Sequence, residues 1–540
     1  MRAEEQIAAA SEAEAPDPLQ FSTGPEVFIG LVGAIGTKLD AVMQSLEDEL
    51  RAYGFVGRPV RLSETFGQFP QFAQLKTAIS RRQYYTLAMD AGNELCSKWF
   101  EDANAAAQLG IVKTNQIRAQ ESDKQEKVGY IFKSFKRPEE IRLAREVYGP
   151  LFYCVGVYAD ESDRLDRLAK ECHPRNEEER KVDERVFAQG LIKRDSSEDA
   201  VCGQNVREAF TEADYFIRSD EDSDVRQAIQ RLLQLVFDVP YVGPTRSEIA
   251  MMHARTAALR SVDLSRQVGA AIISRDGRLL TTGCNDVPKA GGGQYSTEDI
   301  DDRRDFQVGH DMNDVLKRRA IEELLEHIYD GTHAEALKDA QAAYESLSAK
   351  GCFKGTRTDS LIEFGRIVHA ENAAINSSCM ETISIRDCDL YCTTFPCHMC
   401  TRAIINVGIR NVFYIEPYPK SMALELYSDS IVVDKKLSKG EYLSRLLDTS
   451  VCDHRVHYIA FEGCAPRRYD DLFTYTHTRK DKATGKREAF DPTESQPRMT
   501  PPFKTYLNAE KLVVTNVNRV ISKAIFAFEA KGSPEESAEK

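Results

Sequence analysis

Residues 369–400 read HAENAAINSSCMETISIRDCDLYCTTFPCHMC. The stretch alternates helix, strand and helix. A helix opens at His369-Ala370-Glu371 and runs through Ile375, Cys388–Thr394 has strand composition, and Pro396 opens a second helix where its missing N–H costs nothing. His369, Cys397 and Cys400 supply one imidazole and two thiols, a donor set that suits tetrahedral zinc. Three protein ligands leave a fourth position open, as a catalytic zinc requires, and no fourth Cys or His stands at the spacing that would close a structural site. Cys397 and Cys400 lie three apart on one side of a first helical turn. The positive end of that helix favours the thiolate that zinc needs. Glu371 is near enough to share the site without being a ligand. Cys388 and Cys392 belong to the strand and are expected in the core, and His398 points elsewhere on its helix.

Upstream, Thr245–Ser261 reads as a helix with a Thr245/Glu248 capping box. A hairpin follows, with Val268–Ile273, an Asp276-Gly277 turn and Arg278–Thr282. Downstream, Asn411–Ile415 and Val456–Phe461 are strands on either side of a short helix at 421–428. The pattern H-x-E…P-C-x-x-C is the signature of zinc nucleobase deaminases. SVDLSRQVGAAIISRDGRLLTTGCND (261–286) and CTTFPCHMCTRAIINVGIRNVFYIEPYPKS (392–421) resemble the corresponding runs of deoxycytidylate deaminases. The resemblance implies a three-layer α/β/α domain with one Zn2+ on His369, Cys397 and Cys400. It also implies Glu371 as the proton carrier of a hydrolytic deamination at cytosine C4, and substrate contacts at Asn285 and Ala370. An Asn in a turn after a strand is equally explained by turn chemistry. The insertion 287–366 carries helical patterns at 314–329 and 333–348. Its His310, His327, His333 and Cys352, with the nearby Cys284, lack the tight spacing of a second metal site.

In the first half, Val27–Val32 (VFIGLV) is a buried strand that runs into Gly33-Ala-Ile-Gly36-Thr37-Lys38 and then a helix over 39–53. This is the context in which backbone N–H groups cradle phosphate. The pattern G-x-x-x-x-G-K-[ST] would need Lys directly after Gly36, but Thr37 intervenes before Lys38. The glycine it needs at position 31 is Leu31, with Gly30 displaced by one. Gly30, Gly33, Gly36, Thr37 and Lys38 are therefore candidate nucleotide-binding residues, and a ligand-free tight turn is the other reading. Val128–Phe132 and Leu151–Val157 are further strands, with helices over 81–107, from 137, over 161–169 and over 222–237, an alternation that indicates βαβ units. In this organisation the chain resembles P-loop nucleotide and nucleoside kinases. Lys133 stands where that family often carries a magnesium-binding Asp, so nucleotide sensing is expected rather than turnover. Arg175–Arg185 reads as a phosphate-clamping lid or as a solvated helix face. Arg467-Arg468 reads as a phosphate contact or as a surface pair.

A chain of 540 residues is long for one core and suggests two domains with tails. The expected division is a disordered leader over 1–25, a P-loop-kinase-like nucleotide-binding domain over 26–240, a deaminase-like domain over 245–475, and a C-terminal extension over 476–540 with a disordered tail. The fold class is α/β throughout. A net charge of −14 argues against a general nucleic-acid binder. Thirteen cysteines spread over a long chain fit a reducing cytosol. The first twenty residues lack a signal-peptide core, and no apolar run is long enough to cross a membrane. A cytoplasmic protein is expected.

From Val27 to about Phe473 the two halves together resemble the bacterial anti-phage dCTP deaminases. That resemblance implies deamination of dCTP, and often dCMP, to the uracil form, which depletes the DNA precursors of a phage. It further implies a homo-oligomer and a nucleoside triphosphate at the first domain, with a regulatory nucleotide, a phage-derived factor or an RNA as candidate regulator. A tRNA or single-stranded DNA deaminase, a housekeeping dCMP deaminase and a non-catalytic nucleotide sensor are the alternatives.

Overall fold

The computed structural model describes residues 24–120, 126–174, 179–198, 200, 202–219, 222–327, 333–353, 356, 358, 361–416, 422–433, 455–474, 476, 478–500 and 504–532. These form two compact units. One holds the described residues up to Pro244 and those from Glu462 onward; the other is Thr245–Phe461. Among the described residues no helix is long and apolar enough to cross a membrane.

The first unit is built on the strands β1 (Glu26–Val32), β2 (Phe55–Arg61), β3 (Lys127–Phe135), β4 (Phe152–Tyr158) and β5 (Tyr215–Arg218). They pair in parallel in the order β5-β4-β1-β3-β2, so β1 is central. Every residue of β1 is buried, which is why the strand is continuously apolar apart from Glu26 and Gly30. The edge strand β2 escapes sequence reading because it is only half-buried and carries Pro59, tolerated at an edge. The helices that concern the site are α1 (Leu39–Leu50), α2 (Ala105–Gln120), α3 (Glu161–Glu171) and α4 (Glu184–Ser196). One long helix expected over 81–107 is broken instead. Arg81–Glu94 passes into a π turn at Leu95–Phe100, Glu101 adopts a left-handed φ of 53°, and α2 starts afresh.

The second unit contains α5 (Arg246–Ala258), β6 (Gly269–Ile273), β7 (Leu279–Cys284), α6 (Met312–Glu326), α7 (Ala370–Met380), β8 (Asp389–Thr394), α8 (His398–Val407), β9 (Asn411–Glu416), β10 (Ile431–Val433) and β11 (Val456–Ala460). The sheet order is β10-β11-β9-β8-β6-β7, with an antiparallel hairpin at one end and parallel strands beyond β8. Two glycines set the layers. A Cβ on Gly269 would lie 2.0 Å from the Ala254 carbonyl, so β6 sits against the backbone of α5. A Cβ on Gly283 would lie 2.3 Å from both the Ala370 carbonyl and the Ala374 nitrogen, so β7 sits against the backbone of α7. Gly283 pairs with Ala270, not with Gly269. Side chains alternate along a strand, so the two glycines face opposite sides and the unit has α/β/α layers.

The chain then returns to the first unit, which revises the boundary expected at 475. Gly463–Cys464 pairs antiparallel with β5. Arg467 binds Glu212 and Asp214 at 3.0 and 2.9 Å, and Arg468 lies over the Tyr153 ring, so this arginine pair is engaged within the first unit. The C-terminal extension holds a helix over Tyr506–Gly532, a stretch to which sequence reading assigns no element. Its buried positions Leu507, Glu510, Val514, Val517, Val520 and Ala524 follow the helical period and pack it on α2. Glu510 is fully buried and pairs with Arg118 of α2, which also binds Glu26 of β1 at 2.8 Å; Tyr506 donates to Glu26 at 2.6 Å. One guanidinium therefore satisfies two buried carboxylates, and removing it strands both. Arg118→Met is expected to cost about 3–5 kcal/mol, read as a lowered denaturant midpoint, and the added Glu510→Gln change should recover part of the loss.

Candidate metal centre

The helices α7 and α8 bring their N-termini together. His369 is the N-cap of α7 and Cys397 the N-cap of α8, both with extended backbone. Cys400 lies in the first turn of α8 and is fully buried. His369 is set in place from behind, because Val368 forms a two-way backbone bridge with Asp286. On the other face of that link, Thr281 donates from its hydroxyl to the Ala374 carbonyl at 2.9 Å, which fixes α7 on β7. The ring of His398 turns to Glu363 at 3.4 Å, away from the cluster, and Cys388 and Cys392 are buried in and beside β8.

His369 Nδ1 lies 3.3 Å from Cys397 Sγ and 3.4 Å from Cys400 Sγ. The three donor atoms fall within 4.8 Å of one another. Separations of this size match the edge of a zinc tetrahedron, roughly 3.6 Å for bonds of about 2.1 and 2.3 Å. The donors therefore fit Zn2+. Glu371 is buried, and its Oε2 is 3.5 Å from Cys400 Sγ. Burial raises the Glu371 carboxyl, and the charge of Cys397 raises it further. By themselves the three donors share protons. The hydrogen bond from Cys400 and then the His369 ring lower Cys397 to about 4. The same Cys397–Cys400 bond, with burial, pushes Cys400 well up. Burial opposes charge on His369, but the Cys397 thiolate outweighs it and raises the imidazole to about 9.

A cavity of about 420 Å³ opens onto these groups, the size of a small-ligand pocket. His369, Glu371 and Cys397 line it, with Asn285, Arg266, Thr394 and Phe395. Asn285 is buried and holds the wall together. Its Oδ1 accepts from Val268 N–H at 2.7 Å and its Nδ2 donates to the Arg266 carbonyl at 2.8 Å. One amide hydrogen and one lone pair are left over for a ligand. Ala370 stands behind the cavity, its carbonyl against Gly283. The insertion supplies the opposite wall, which sequence reading missed: Asp311, Asn313, Asp314 and Lys317 at the start of α6, with Leu361, Ile362 and Gly365. Asn313 ties the two pieces together by donating to the Leu361 carbonyl at 2.9 Å. Lys317 pairs with Asp314 at 2.9 Å, and Arg266 with Glu416 at 2.7 Å. No local spacing signals this wall, since the start of α6 stands well apart along the chain from Arg266 and Asn285 and from the metal donors, and the insertion carries no motif of its own.

The candidate nucleotide-binding residues of the first unit are not all brought together. Gly30 is inside β1, where a Cβ would meet the Phe135 and Phe152 rings at 2.3 and 2.8 Å, so packing explains this glycine. Gly33, Gly36, Thr37 and Lys38 do form the turn between β1 and α1, with Gly36 at φ +84°. Lys133 is paired with Asp40 of α1 at 2.6 Å. Of the expected lid, 175–178 lies outside the described residues. Beyond it Arg82 donates to the Glu179 and Val182 carbonyls at 2.7 and 3.1 Å, and Arg185 binds Asp166 at 2.7 Å.

Residues 244–416 match the family described as the cytidine and deoxycytidylate deaminase zinc-binding region. A probable deoxycytidylate deaminase of Caenorhabditis elegans is 39% identical over 51 residues, which span 9% of this chain and 24% of the nematode protein. Among solved structures, the dCMP deaminase of cyanophage S-TIM5 in apo form is 15% identical, covering 41% of this chain and 100% of its own, with a TM-score of 0.20. A diaminohydroxyphosphoribosylaminopyrimidine deaminase/reductase of Thermotoga maritima is 15% identical, covering 42% of this chain and 39% of its own, also at 0.20. Over 244–416 the second unit is thus similar to the zinc-binding region of cytidine and deoxycytidylate deaminases.

The proton sharing among the donors has a measurable consequence. To ligate, His369 must lose the proton it holds below about 9, and Cys400 must lose its own. Zinc uptake by metal-free protein at pH 7 is expected to release about two protons per ion, read with an indicator dye. Affinity should fall as pH is lowered, because protons compete for His369.

Proposed function

We propose that the protein is a zinc-dependent deaminase of deoxycytidine nucleotides, which converts dCTP, and dCMP, to the deoxyuridine nucleotide and ammonia. One observation carries the reading: a buried carboxylate, Glu371, stands beside a convergent His369/Cys397/Cys400 set at the floor of a nucleoside-sized cavity. Zinc held by those three residues lowers the pKa of water to roughly 7. Glu371 accepts a proton from the water that adds to cytosine C4 and delivers it to N3. It then takes the proton of the new C4 hydroxyl and hands it to the C4 amino group, so that the C4–N bond breaks, ammonia leaves and the C4 carbonyl of uracil forms. Burial suits it to both tasks, since a raised pKa makes the acid and the carboxylate closer in free energy at neutral pH. Phe395, whose ring meets Tyr414 and Tyr458 at 4.9 Å, offers a rigid apolar surface for a base. Asn285 offers its spare hydrogen-bonding capacity to the sugar.

The choice of a nucleotide over a free nucleoside rests on the two cations of the cavity, Arg266 and Lys317. Both now face carboxylates and would exchange them for phosphate oxygens. The triphosphate preference, the anti-phage role, the oligomer and control through the first unit rest on the resemblance to anti-phage dCTP deaminases. In that reading, deamination depletes dCTP for a replicating phage, and the activity needs a restraint.

Incubation of the purified protein with dCTP, dCMP, cytidine, single-stranded DNA and tRNA tests the reading. Turnover of dCTP with release of ammonia is expected, and deamination of a polynucleotide alone would overturn it. Glu371→Ala should retain zinc and fold while turnover falls by at least about 100-fold, and a variant with full activity would remove Glu371 from the mechanism. Lys317→Ala should raise KM for dCTP about tenfold while leaving cytidine turnover unchanged.

A further inference from the structure

The turn from β1 to α1 sits at the carboxyl end of the central strand, where the chain leaves toward β2 and later crosses back to β4. Open α/β sheets bind ligands at such reversal points. A phosphate there would need the N–H groups of the turn. The backbone N–H of Ile35 is instead taken by the carboxylate of Asp195, at 2.7 Å from Oδ2, across 160 residues of chain. Asp195 is fully buried near the end of α4. Its other oxygen accepts from Lys136 Nζ at 2.7 Å, and that ammonium also reaches the Gly33 carbonyl at 3.3 Å. The turn is closed from α3 as well. Arg164 donates to the Ile35 carbonyl at 3.3 Å and Arg167 to the Gly36 carbonyl, while Gly36 packs within about 3 Å of the Arg164 backbone and the Leu168 side chain, measured from where a Cβ would be. Ile35 itself is buried in an apolar cluster with Leu168, Leu191 and Ile192 of α3 and α4. An amide N–H and an ammonium converging on one buried carboxylate make the partner set that an anion requires. The seat exists and the protein's own anion fills it.

We infer that Asp195 is a resident anion closing the β1–α1 turn, so that a phosphate-bearing ligand enters this turn only in competition with it. As the turn stands in this structure, it does not fit a nucleoside triphosphate, against the expectation from its sequence. This inference concerns the first unit alone and is independent of the deaminase reading. Whatever moves α4 would expose Ile35 N–H and Lys136 together, which makes the contact an inhibitory latch rather than a mere turn.

The test uses the full chain and inorganic pyrophosphate as probe, followed by hydrogen exchange of the segment 33–38. In the parent protein the Ile35 amide should exchange slowly, and pyrophosphate should leave it unchanged. Asp195→Ala vacates the seat while Lys136 remains. Pyrophosphate should then slow exchange in 33–38 and bind about 10-fold to 100-fold tighter than in the parent, the worth of a charge-assisted hydrogen bond. Asp195→Asn, which keeps the bond to Ile35 but frees Lys136, should give a smaller gain. A parent turn that pyrophosphate protects as strongly as it does the Ala variant would overturn the proposal, as would folded Ala and Asn variants with no gain. If neither variant folds, the parent decides: slow, unresponsive exchange at Ile35 upholds the latch, and fast exchange that pyrophosphate suppresses refutes it.

Discussion

The second unit depends on a contact in which no side chain takes part. At Gly283 the strand β7 meets the backbone of α7 so closely that even a methyl group has no room. That approach seats the first turn of α7 beneath the hairpin, and with it His369 and Glu371. The mirror contact at Gly269 seats α5 on the opposite face. Glycine at these positions serves closeness and not flexibility, since neither adopts a positive φ. Arg266 and Val268, just before Gly269, and Asn285, just after Gly283, line the cavity, so sheet packing and site geometry are one constraint.

Buried polar groups around that constraint act as braces. Asn285 braces the 266–268 loop, and Asp286 bridges Val368 and so orients His369. The donors themselves sit at two helix N-termini, where the hydrogen bonds from Cys400 and His369, with the helix dipoles, favour thiolate over thiol at Cys397 against the cost of burial. A charged imidazole and a thiolate side by side resolve the cost of burial by pairing, which is also why a metal ion can replace the shared protons without rearranging the donors.

The same rule governs the first unit. Arg118 answers Glu26 and Glu510, and Lys136 with the Ile35 N–H answers Asp195. In both cases a carboxylate from a distant part of the chain completes a buried set. Neither partner announces itself locally: Glu510 reads as a surface residue of a polar extension, and Asp195 as one acid among several in 184–198. The helix over 506–532 had a readable apolar period, but a buried Glu in its first turns and the polar run before it disguised it. Gly30 shows the converse error, a glycine that looks like part of a phosphate loop and is set by two phenylalanine rings.

What the sequence determined by itself was the donor set that the fold brings together. A His, an acid two residues on and a Pro-Cys-x-x-Cys run are local patterns on helix starts, and local patterns suffice to name donors and their order. The α/β alternation was legible for the same reason, since hydrophobic period is a property of short windows. Tertiary structure alone decided that two separate pieces of the insertion, 311–317 and 361–365, wall the cavity, that the chain returns after Phe461 to finish the first sheet, and that a candidate phosphate turn is already occupied by a carboxylate. Those outcomes depend on which distant segments exclude water from one another, and no window of sequence contains both partners.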